Sequence, residues 1–500
     1  MARAPSALFD RIPPLLPAGA GDPPPPFVYD QSPRALREKV VAYTAKRYVD
    51  MLYVTGLSRE TADRHFRPRA SGRSGSLGAE PNVATAQAEV NAAWKAGQVT
   101  VVADDADRRV TVTWDDPAFG PPVAGHAVAR AGYGGIVLGR HADLAFEARP
   151  VARKPADRNR AWPLGDGGAT PGRNRGPAAL EQAIERLFAG SAGLYGVMVA
   201  TPDGVVAERY SDHGAPDRPT PSFSMTKAFT GTIIGRMIQE GWLGSVYDPA
   251  PAPLWRDPRG IHHLITIDDL MRMRAGLAFP AVDGTGASTV IFENSFVYYD
   301  GEDAFDTAQR SIVATRPGAV YRYINTGLNV LGAIIRDQIE KRGLPYPETV
   351  YGLLADRIGL ASYQHSADRV GNLVASGSGF ATLRDYARFG LLYIQDGVWD
   401  GERLLPEGWA DYALTSTHFG NHYAGCFRTN LDGQFPSLPV DAVWASGASD
   451  QKVIMLRGQR LVIAVANETD HPLDLKALDG VGAAAMAAAS SAVSDRAAAD

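Results

Sequence analysis

The most informative pattern in the chain is Pro221-Ser222-Phe223-Ser224-Met225-Thr226-Lys227-Ala228-Phe229-Thr230, followed by Gly231-Thr232-Ile233-Ile234-Gly235-Arg236-Met237-Ile238. Beyond Ser224 the apolar residues recur at helical spacing, and Gly241 stands where a helix is expected to stop. Ser222, which follows a proline, is predicted to be the N-cap of this helix. Because residues three apart lie on one face of a helix, the hydroxyl of Ser224 and the amine of Lys227 are predicted to meet.

A serine next to a lysine in this arrangement points to nucleophilic catalysis, since a serine hydroxyl attacks a carbonyl only when a neighbouring base takes its proton. A second match to the same pattern, Ser449-Asp450-Gln451-Lys452, runs into the strand-like residues 453–456. Residues three apart on a strand point to opposite faces, so this second match is interpreted as a chance occurrence. Taken alone, the first match leaves open whether Ser224 is catalytic or structural.

A second candidate element is Tyr321-Arg322-Tyr323-Ile324-Asn325, which stands just before a helix predicted over 326–342. A phenol at the mouth of a helix can face a cleft, where Tyr323 could exchange a proton with Lys227. Asn325 could hold that lysine or a substrate amide. The alternative interpretation is a core tyrosine followed by a helix-capping asparagine.

A third candidate element begins the last predicted hairpin, at Trp444-Ala445-Ser446-Gly447-Ala448-Ser449-Asp450-Gln451. Acyl transfer needs two backbone N–H donors for the oxyanion that develops on the attacked carbonyl. A strand edge made of small residues beside the nucleophile would supply one of them. The alternative interpretation is an ordinary turn into a strand.

Together these elements resemble the serine β-lactamase-like family, whose fold is shared by class C β-lactamases, DD-peptidases, esterases and the nylon-oligomer (6-aminohexanoate-dimer) hydrolases. Residues 224–227 match its first motif and residues 323–325 its second, while 266–277 and 379–390 are similar to its later structural signatures. The resemblance covers about residues 180–470. It implies an α+β fold, with an antiparallel sheet flanked by helices and an all-helical subdomain.

The resemblance also implies roles for individual residues. Ser224 would be the nucleophile, Lys227 the base and Tyr323 the proton relay to the leaving group. The N–H groups of Ser224 and Ala448 would bind the oxyanion. The substrate-binding residues implied in addition are Asn325, Gly447 and Gln451.

The third motif departs from the family pattern, which is usually Lys-Thr-Gly, or Gly-His-x-Gly-Gln in the esterase and nylon-hydrolase branch. Here Ala448 stands where that branch often has histidine. No cation is evident that would grip a β-lactam carboxylate, unless an arginine from 278–316 or Lys452 supplies it. Neutral or weakly charged esters and amides are therefore the expected substrates.

The pattern of the 500-residue chain predicts five segments. The hydrolase region runs from a helix and hairpin, through a helical insertion, to terminal strands, which suits an antiparallel sheet closed by both ends of the domain. Two further helices have predicted ends: one begins with a cap at Ser32, and another begins with a capping box at Thr266 and is closed by Gly276. The predicted segments are a flexible N-terminal arm over 1–31, a small α+β domain over 32–150, a linker over 151–176, the hydrolase domain over 177–482 and an Ala-rich tail over 483–500.

Composition narrows the possible functions further. The net charge of −5 and the pI near 6.1 argue against nucleic acid as the main partner. The single cysteine, Cys426, excludes an internal disulfide framework. No signal-peptide-like or membrane-spanning apolar run is apparent, so a cytoplasmic location is expected, with a periplasmic one if the start is mis-assigned.

The sequence therefore predicts a metal- and cofactor-independent serine hydrolase that acts on a small amide or ester, with no nucleic-acid or membrane partner and an undetermined oligomeric state. Two alternatives stay open. One is a β-lactamase or DD-peptidase-type penicillin-recognising enzyme, and the other is a non-catalytic β-lactamase-like binding protein.

Overall fold

The architecture is that of a computed structural model, which describes residues 25–66, 81–154, 157–167, 176–258, 260–291, 296–417, 422–468 and 471–499. Most of the arm predicted over 1–31 lies outside these residues. The strands are β1 Tyr29–Asp30, β2 Val99–Asp104, β3 Arg109–Trp114, β4 Val123–Ala129, β5 Gly135–Gly139, β6 Leu194–Thr201, β7 Gly204–Tyr210, β8 Thr220–Phe223, β9 Leu277–Val282, β10 Ser288–Ile291, β11 Ile312–Val313, β12 Gln364–His365, β13 Gly379–Ala381, β14 Val398–Trp399, β15 Glu402–Arg403, β16 Arg428–Thr429, β17 Val443–Ser446, β18 Lys452–Leu456 and β19 Leu461–Asn467. The helices are α1 Pro33–Val49, α2 Arg59–Phe66, α3 Pro81–Lys95, α4 Ala178–Gly190, α5 Thr226–Gln239, α6 Ile267–Met271, α7 Ala304–Gln309, α8 Thr326–Glu340, α9 Tyr346–Leu353, α10 Leu383–Ile394, α11 Trp409–Leu414 and α12 Leu475–Ala499.

A six-stranded antiparallel sheet with the order β16-β17-β18-β19-β6-β7 forms the centre of the C-terminal region. The β6–β7 hairpin comes from the start of this region and the other four strands from its end, joined where β19 pairs with β6. Ile454 and Ile463 pack on one face with α4 and α12, while Val453 and Val462 belong to the core on the other face. The α+β fold predicted for this region, with its sheet closed from both ends, is confirmed.

Helix α10 packs on the second face of this sheet, and α5 packs on α10 through the stacked rings of Phe229 and Phe389. Helix α5 lies close to its neighbours because it carries glycine at contact points. A Cβ atom on Gly235 would stand 2.4 Å from the indole of Trp409, so a larger residue would push α5 away from α11. The end of α5 agrees with the sequence prediction, since Gly241 follows it at φ +68°.

Two predictions about helix ends are wrong. Ser222 does not cap α5 but lies in β8, where its hydroxyl donates a 2.9 Å hydrogen bond to Gly379 O and shares one of 2.7 Å with Thr226 Oγ1. The pairing of β8 with β13, more than 150 residues away, overrides the local capping preference. Helix α6 begins with the predicted capping box at Thr266 but ends at Met271, before Gly276, because Met273 turns the chain at φ +58°.

The N-terminal segment builds a second antiparallel sheet, β2-β3-β4-β5, with α1 packed across it. Ser32 caps α1 as predicted, accepting a hydrogen bond from Ala35 N at 3.3 Å. A Cβ atom on Gly125 would lie 2.2 Å from Ala42 N, so glycine allows β4 to approach the helix backbone. The opposite side of α1 faces the catalytic region, where the rings of Tyr43 and Tyr299 meet edge to face at 5.1 Å.

The C-terminal helix α12 begins at Leu475 and therefore runs through the predicted boundary at residue 482. No helix in the described part of the chain is long and apolar enough to span a membrane.

Candidate active site

Ser224 occupies a sharp turn between β8 and α5. Phe223 immediately before it adopts φ +45°, a left-handed conformation that a bulky residue rarely takes and that is frequent where function holds the backbone under strain. Lys227 lies in the first turn of α5, and its side chain is almost fully buried. Its Nζ is 3.0 Å from Ser224 Oγ, so the predicted meeting of these two side chains is observed.

The side-chain nitrogen of Lys227 has a second partner, the carbonyl oxygen of Ser376 at 2.6 Å. Within the described residues Lys227 forms no ion pair, and both of its hydrogen-bond partners are uncharged oxygen atoms. The carbonyl holds Nζ in place while leaving it at hydrogen-bond distance from Oγ. That distance is what direct proton transfer between the two side chains requires.

Tyr323 and Asn325 line the same cavity as Ser224. The ring of Tyr323 has its centroid 5.0 Å from Lys227 Nζ and meets the ring of Tyr423 edge to face at 5.8 Å. Asn325 precedes α8, but its side chain makes no capping hydrogen bond, which argues against the alternative of a purely helix-capping asparagine. The tertiary structure thus places residues of the first two predicted motifs on the wall of one cavity.

The third motif approaches the nucleophile through a glycine. A Cβ atom on Gly447 would stand only 2.2 Å from Ser222 O, so the end of β17 lies directly against the turn that carries Ser224. Ala448 follows in a short 3-10 turn and lines the cavity. No acceptor among the described residues takes a hydrogen bond from the N–H of Ser224 or Ala448.

Two residues expected to bind substrate have other partners. Gln451 is fully buried outside the cavity lining, where its Nε2 donates to Asn467 O and its Oε1 accepts from Asn467 N at 3.1 Å. The N–H of Gly447 donates to Gln451 O at 2.9 Å. Lys452, one proposed source of a substrate-binding cation, is also outside the lining, with its Nζ 2.9 Å from Asp450 Oδ1. These residues shape the strand ends behind Ala448.

The cavity has a volume of about 530 Å³, which is in the range of small-molecule sites. Much of its wall comes from segments for which the sequence predicted no role in the site. Besides the predicted site residues Ser224, Tyr323, Asn325 and Ala448, the lining residues are Tyr43, Lys46, Arg47, Asp50, Val137, Pro221, Phe223, Tyr298, Tyr299, Arg322, Ser366, Ala367, Val374, Ser376, Gly377, Ser378 and Phe380.

The expectation that no cation faces the substrate is wrong, because Lys46, Arg47 and Arg322 all line the cavity. Two of them belong to α1 in the N-terminal segment, and Arg322 lies inside the second motif, just beyond the 278–316 segment that was considered. The available sequence signal was a pair of charged residues, Lys46 and Asp50, four apart at core-facing positions of a helix. Buried charges of this kind are usually paired and are frequent at functional sites.

Lys46 and Asp50 form a buried ion pair, with Nζ 2.6 Å from Oδ2. Burial lowers the pKa of Lys46, although the carboxylate of Asp50 opposes the change. Burial likewise raises the pKa of Asp50, opposed by the positive charges of Lys46 and Arg47. Each charge therefore depends on the other, and removal of one would leave an uncompensated buried charge.

The sequence profile of the Beta-lactamase family matches residues 180–486. Among curated proteins, the chain is similar to the 6-aminohexanoate-dimer hydrolase of Paenarthrobacter ureafaciens, with 26% identity over 249 residues. This match covers 47% of the present chain and 59% of that enzyme, so it spans little more than half the length of the relative.

Among solved structures, the chain is similar to a penicillin-binding protein homolog from Caulobacter crescentus. That similarity has a TM-score of 0.50 and 18% identity, over 63% of this chain and 99% of the other. A D-stereospecific amidohydrolase from Streptomyces sp. gives a TM-score of 0.44 and 17% identity, over 60% of this chain and 97% of the other. At such low identity the first similarity shows the fold alone.

Proposed function

The chain belongs to the Beta-lactamase family, and from this premise we propose that it is a serine hydrolase that cleaves a small amide or ester through an acyl-enzyme on Ser224. The predicted resemblance to the serine β-lactamase-like family is confirmed, and the named relatives include hydrolases. The observation that carries the proposal is the 3.0 Å separation of Lys227 Nζ and Ser224 Oγ at the wall of a substrate-sized cavity.

In the proposed first step, Ser224 Oγ attacks the carbonyl carbon of the substrate while its proton passes to Lys227. The new C–O bond converts the carbonyl oxygen into an oxyanion. The N–H groups of Ser224 and Ala448 are the proposed donors to it, since neither is used by an acceptor within the described residues. Donors that are already oriented cost no reorganisation when the charge develops.

In the second step the bond to the leaving group breaks, and that group needs a proton. Tyr323 is proposed to deliver it, because its ring lies beside the Lys227 ammonium that has just received the serine proton. The same two groups would then activate water to release the acyl group. Asn325 and the cavity wall would orient the substrate during both steps.

A penicillin-recognising enzyme is the second candidate, favoured by Arg47 and Arg322 on the cavity wall. Either guanidinium could contact the carboxylate of a β-lactam or a peptidoglycan mimic. Lys46 is a weaker candidate for that role, since it is already paired with Asp50. Neutral or weakly charged esters and amides remain the first candidate, and the order of kcat/KM for p-nitrophenyl butyrate and nitrocefin decides between the two.

A fluorophosphonate probe tests the proposal without knowledge of the substrate, because it reacts with an activated serine. We expect labelling of the protein, a single adduct mass, and location of the adduct on the Ser224 peptide. The variant Ser449→Ala, in the chance match to the motif, is the matched control and should label normally. Absence of labelling would favour the non-catalytic alternative, and an adduct on Ser449 would contradict the assignment.

A further inference from the structure

Lys46, Asp50 and Ser366 form a polar cluster on the wall of the catalytic cavity. Each of the three is less than 5% exposed. Lys46 lies in the last turn of α1 and Asp50 directly follows that helix, whereas Ser366 comes from the segment after β12, more than 300 residues later in the chain. The cluster is therefore created only by packing of the N-terminal segment against the catalytic region.

Two atoms of this cluster lack hydrogen-bond partners within the described residues. Asp50 Oδ1 and Ser366 Oγ are both buried and have no hydrogen-bond partner there. The other carboxylate oxygen of Asp50, Oδ2, accepts a hydrogen bond from Lys46 Nζ. The N–H of Gly135 lowers the pKa of Asp50 against the larger effect of burial, while Oδ1 itself accepts no hydrogen bond within the described residues. Unsatisfied buried polar atoms are costly, and in a cavity they mark places where a ligand can compensate them.

Glycines at the start of β5 are required for this arrangement. A Cβ atom on Gly134 would stand 2.8 Å from Ser366 Oγ, and one on Gly135 would stand 2.3 Å from Asp50 Oδ1. Side chains here would displace the two unsatisfied atoms. The Gly132-Tyr133-Gly134-Gly135 sequence, which has no dinucleotide-binding context, thus has a steric role beside the cluster.

The mixed character of the cluster selects the chemistry of its ligand. A cationic group would be attracted by Asp50 but repelled by Lys46. An anionic group would be attracted by Lys46 but repelled by Asp50. Either charge would also lose its hydration on entering the buried wall. A neutral dipolar group gains from both partners, because its carbonyl oxygen can accept from Lys46 or Ser366 while its N–H donates to Asp50.

We propose that Lys46, Asp50 and Ser366 form a specificity subsite that binds a neutral carboxamide of the substrate, at a distance from the bond that is cleaved. The inference rests on the proposed function, since it assigns a substrate class to the same cavity. Asp50 also opens the π-helical stretch Asp50–Val54, an irregularity of helices that is frequent at functional sites. The N-terminal segment would then determine which substrates the serine acylates.

The test compares p-nitrophenyl esters of equal acyl length that end in a methyl, carboxamide, carboxylate or ammonium group, over chains of three to seven carbons. The readout is the ratio of kcat/KM for the carboxamide ester to that for the methyl ester, which is independent of the fraction of folded enzyme. We expect a wild-type ratio on the order of 10 at one preferred length, as for recognition of a buried polar group. Asp50→Asn and Ser366→Ala should bring the ratio to within about threefold of unity.

Ser366→Ala removes only an unpartnered hydroxyl, so it keeps the test decisive if Asp50→Asn fails to fold. The matched control is Asp356→Asn, which weakens another ion pair between the N-terminal segment and the catalytic region, Arg153–Asp356 at 2.6 Å, outside the cavity. Its ratio should equal that of the wild type. A wild-type ratio near 1, or a preference for the carboxylate or ammonium ester, would overturn the subsite.

Failure of the inference is distinguishable from failure of the proposed function. If fluorophosphonate labels Ser224 but the carboxamide ester has no advantage, the subsite is refuted and the hydrolase proposal stands. If the wild type is not labelled, the hydrolase proposal falls, and calorimetric titration with adipamide and with hexanoate decides the subsite. Binding of adipamide that is lost in Ser366→Ala would support it, and equal or tighter binding of hexanoate would refute it.

Discussion

Replacement of Lys227 by methionine is the most direct test of the catalytic geometry. The substitution keeps the length and much of the volume of the side chain but removes the amine that lies 3.0 Å from Ser224 Oγ. A base positioned for proton transfer typically contributes 10²- to 10⁴-fold to the rate. Because both proposed steps pass a proton through Lys227, we expect a loss of about 10³-fold or more in kcat/KM, roughly 4 kcal/mol of transition-state stabilisation.

The same substitution has a predictable effect on stability, which must be separated from the effect on rate. It leaves Ser376 O without the 2.6 Å hydrogen bond from Nζ, and an unsatisfied buried carbonyl costs about 1–3 kcal/mol. It also removes a buried polar nitrogen that has no carboxylate partner, which offsets part of that cost. We therefore expect Tm to change by only a few degrees.

The assay is the rate of p-nitrophenol release from p-nitrophenyl butyrate, measured with the rate of fluorophosphonate labelling and the Tm of each variant. Lys452→Met is the matched control, because that lysine is equally buried and completes the chance Ser-x-x-Lys match at Ser449. It should lose stability but keep its labelling rate. A folded Lys227→Met protein within tenfold of the wild-type rate would refute the assignment of Lys227 as the base.

The other predictions concern the nucleophile, the relay, the substrate charge and pH. Ser224→Ala should abolish both turnover and labelling, whereas Ser449→Ala should leave both largely intact, as intact-mass measurement would report. Tyr323→Phe should lower kcat for amides about 10²-fold, because their leaving group needs a proton. Labelling by a probe whose leaving group needs no proton should change little. An unchanged kcat for amides would exclude Tyr323 as the proton relay. The kcat/KM for p-nitrophenyl butyrate should exceed that for nitrocefin, and the opposite order would support the penicillin-recognising alternative. Burial lowers the pKa of His365 to about 4, whereas in the unfolded chain this imidazole takes up a proton near pH 6.5. The free energy of unfolding should therefore fall as the pH decreases from about 6.5 to 4, because the unfolded state is protonated first. Thermal melts across that window should show a smaller decrease of Tm for His365→Gln than for the wild type.

Several elements could be predicted because their signals are local. The helical spacing after Ser224, the cap at Ser32 and the capping box at Thr266 all act within one or two turns. The terminal hairpin β18–β19 likewise follows from two apolar runs joined by a short turn. In each case the residues that specify the element are its own neighbours in sequence.

Contacts could not be predicted where distant residues compete with local preferences. Serine is a residue type that favours helix caps, but Ser222 lies in β8, which pairs with β13. Gln451 stands at a motif position, but the backbone of Asn467 on β19 occupies its amide. Neither β13 nor Asn467 can be identified as a partner from residue spacing, because each is distant in sequence from the residue that it contacts. A single sequence does not show which distant residues come into contact.

The sequence by itself determined that Ser224 and Lys227 meet, since the geometry of one helical turn brings their side chains together. Only the tertiary structure decided what surrounds that centre. Lys46 and Asp50 reach the cavity because α1 is packed between the N-terminal sheet and the catalytic region, and Ser366 meets them from the far end of the chain. The proposed subsite thus depends on long-range packing, whereas the meeting of Ser224 and Lys227 depends on the 3.6-residue period of a helix.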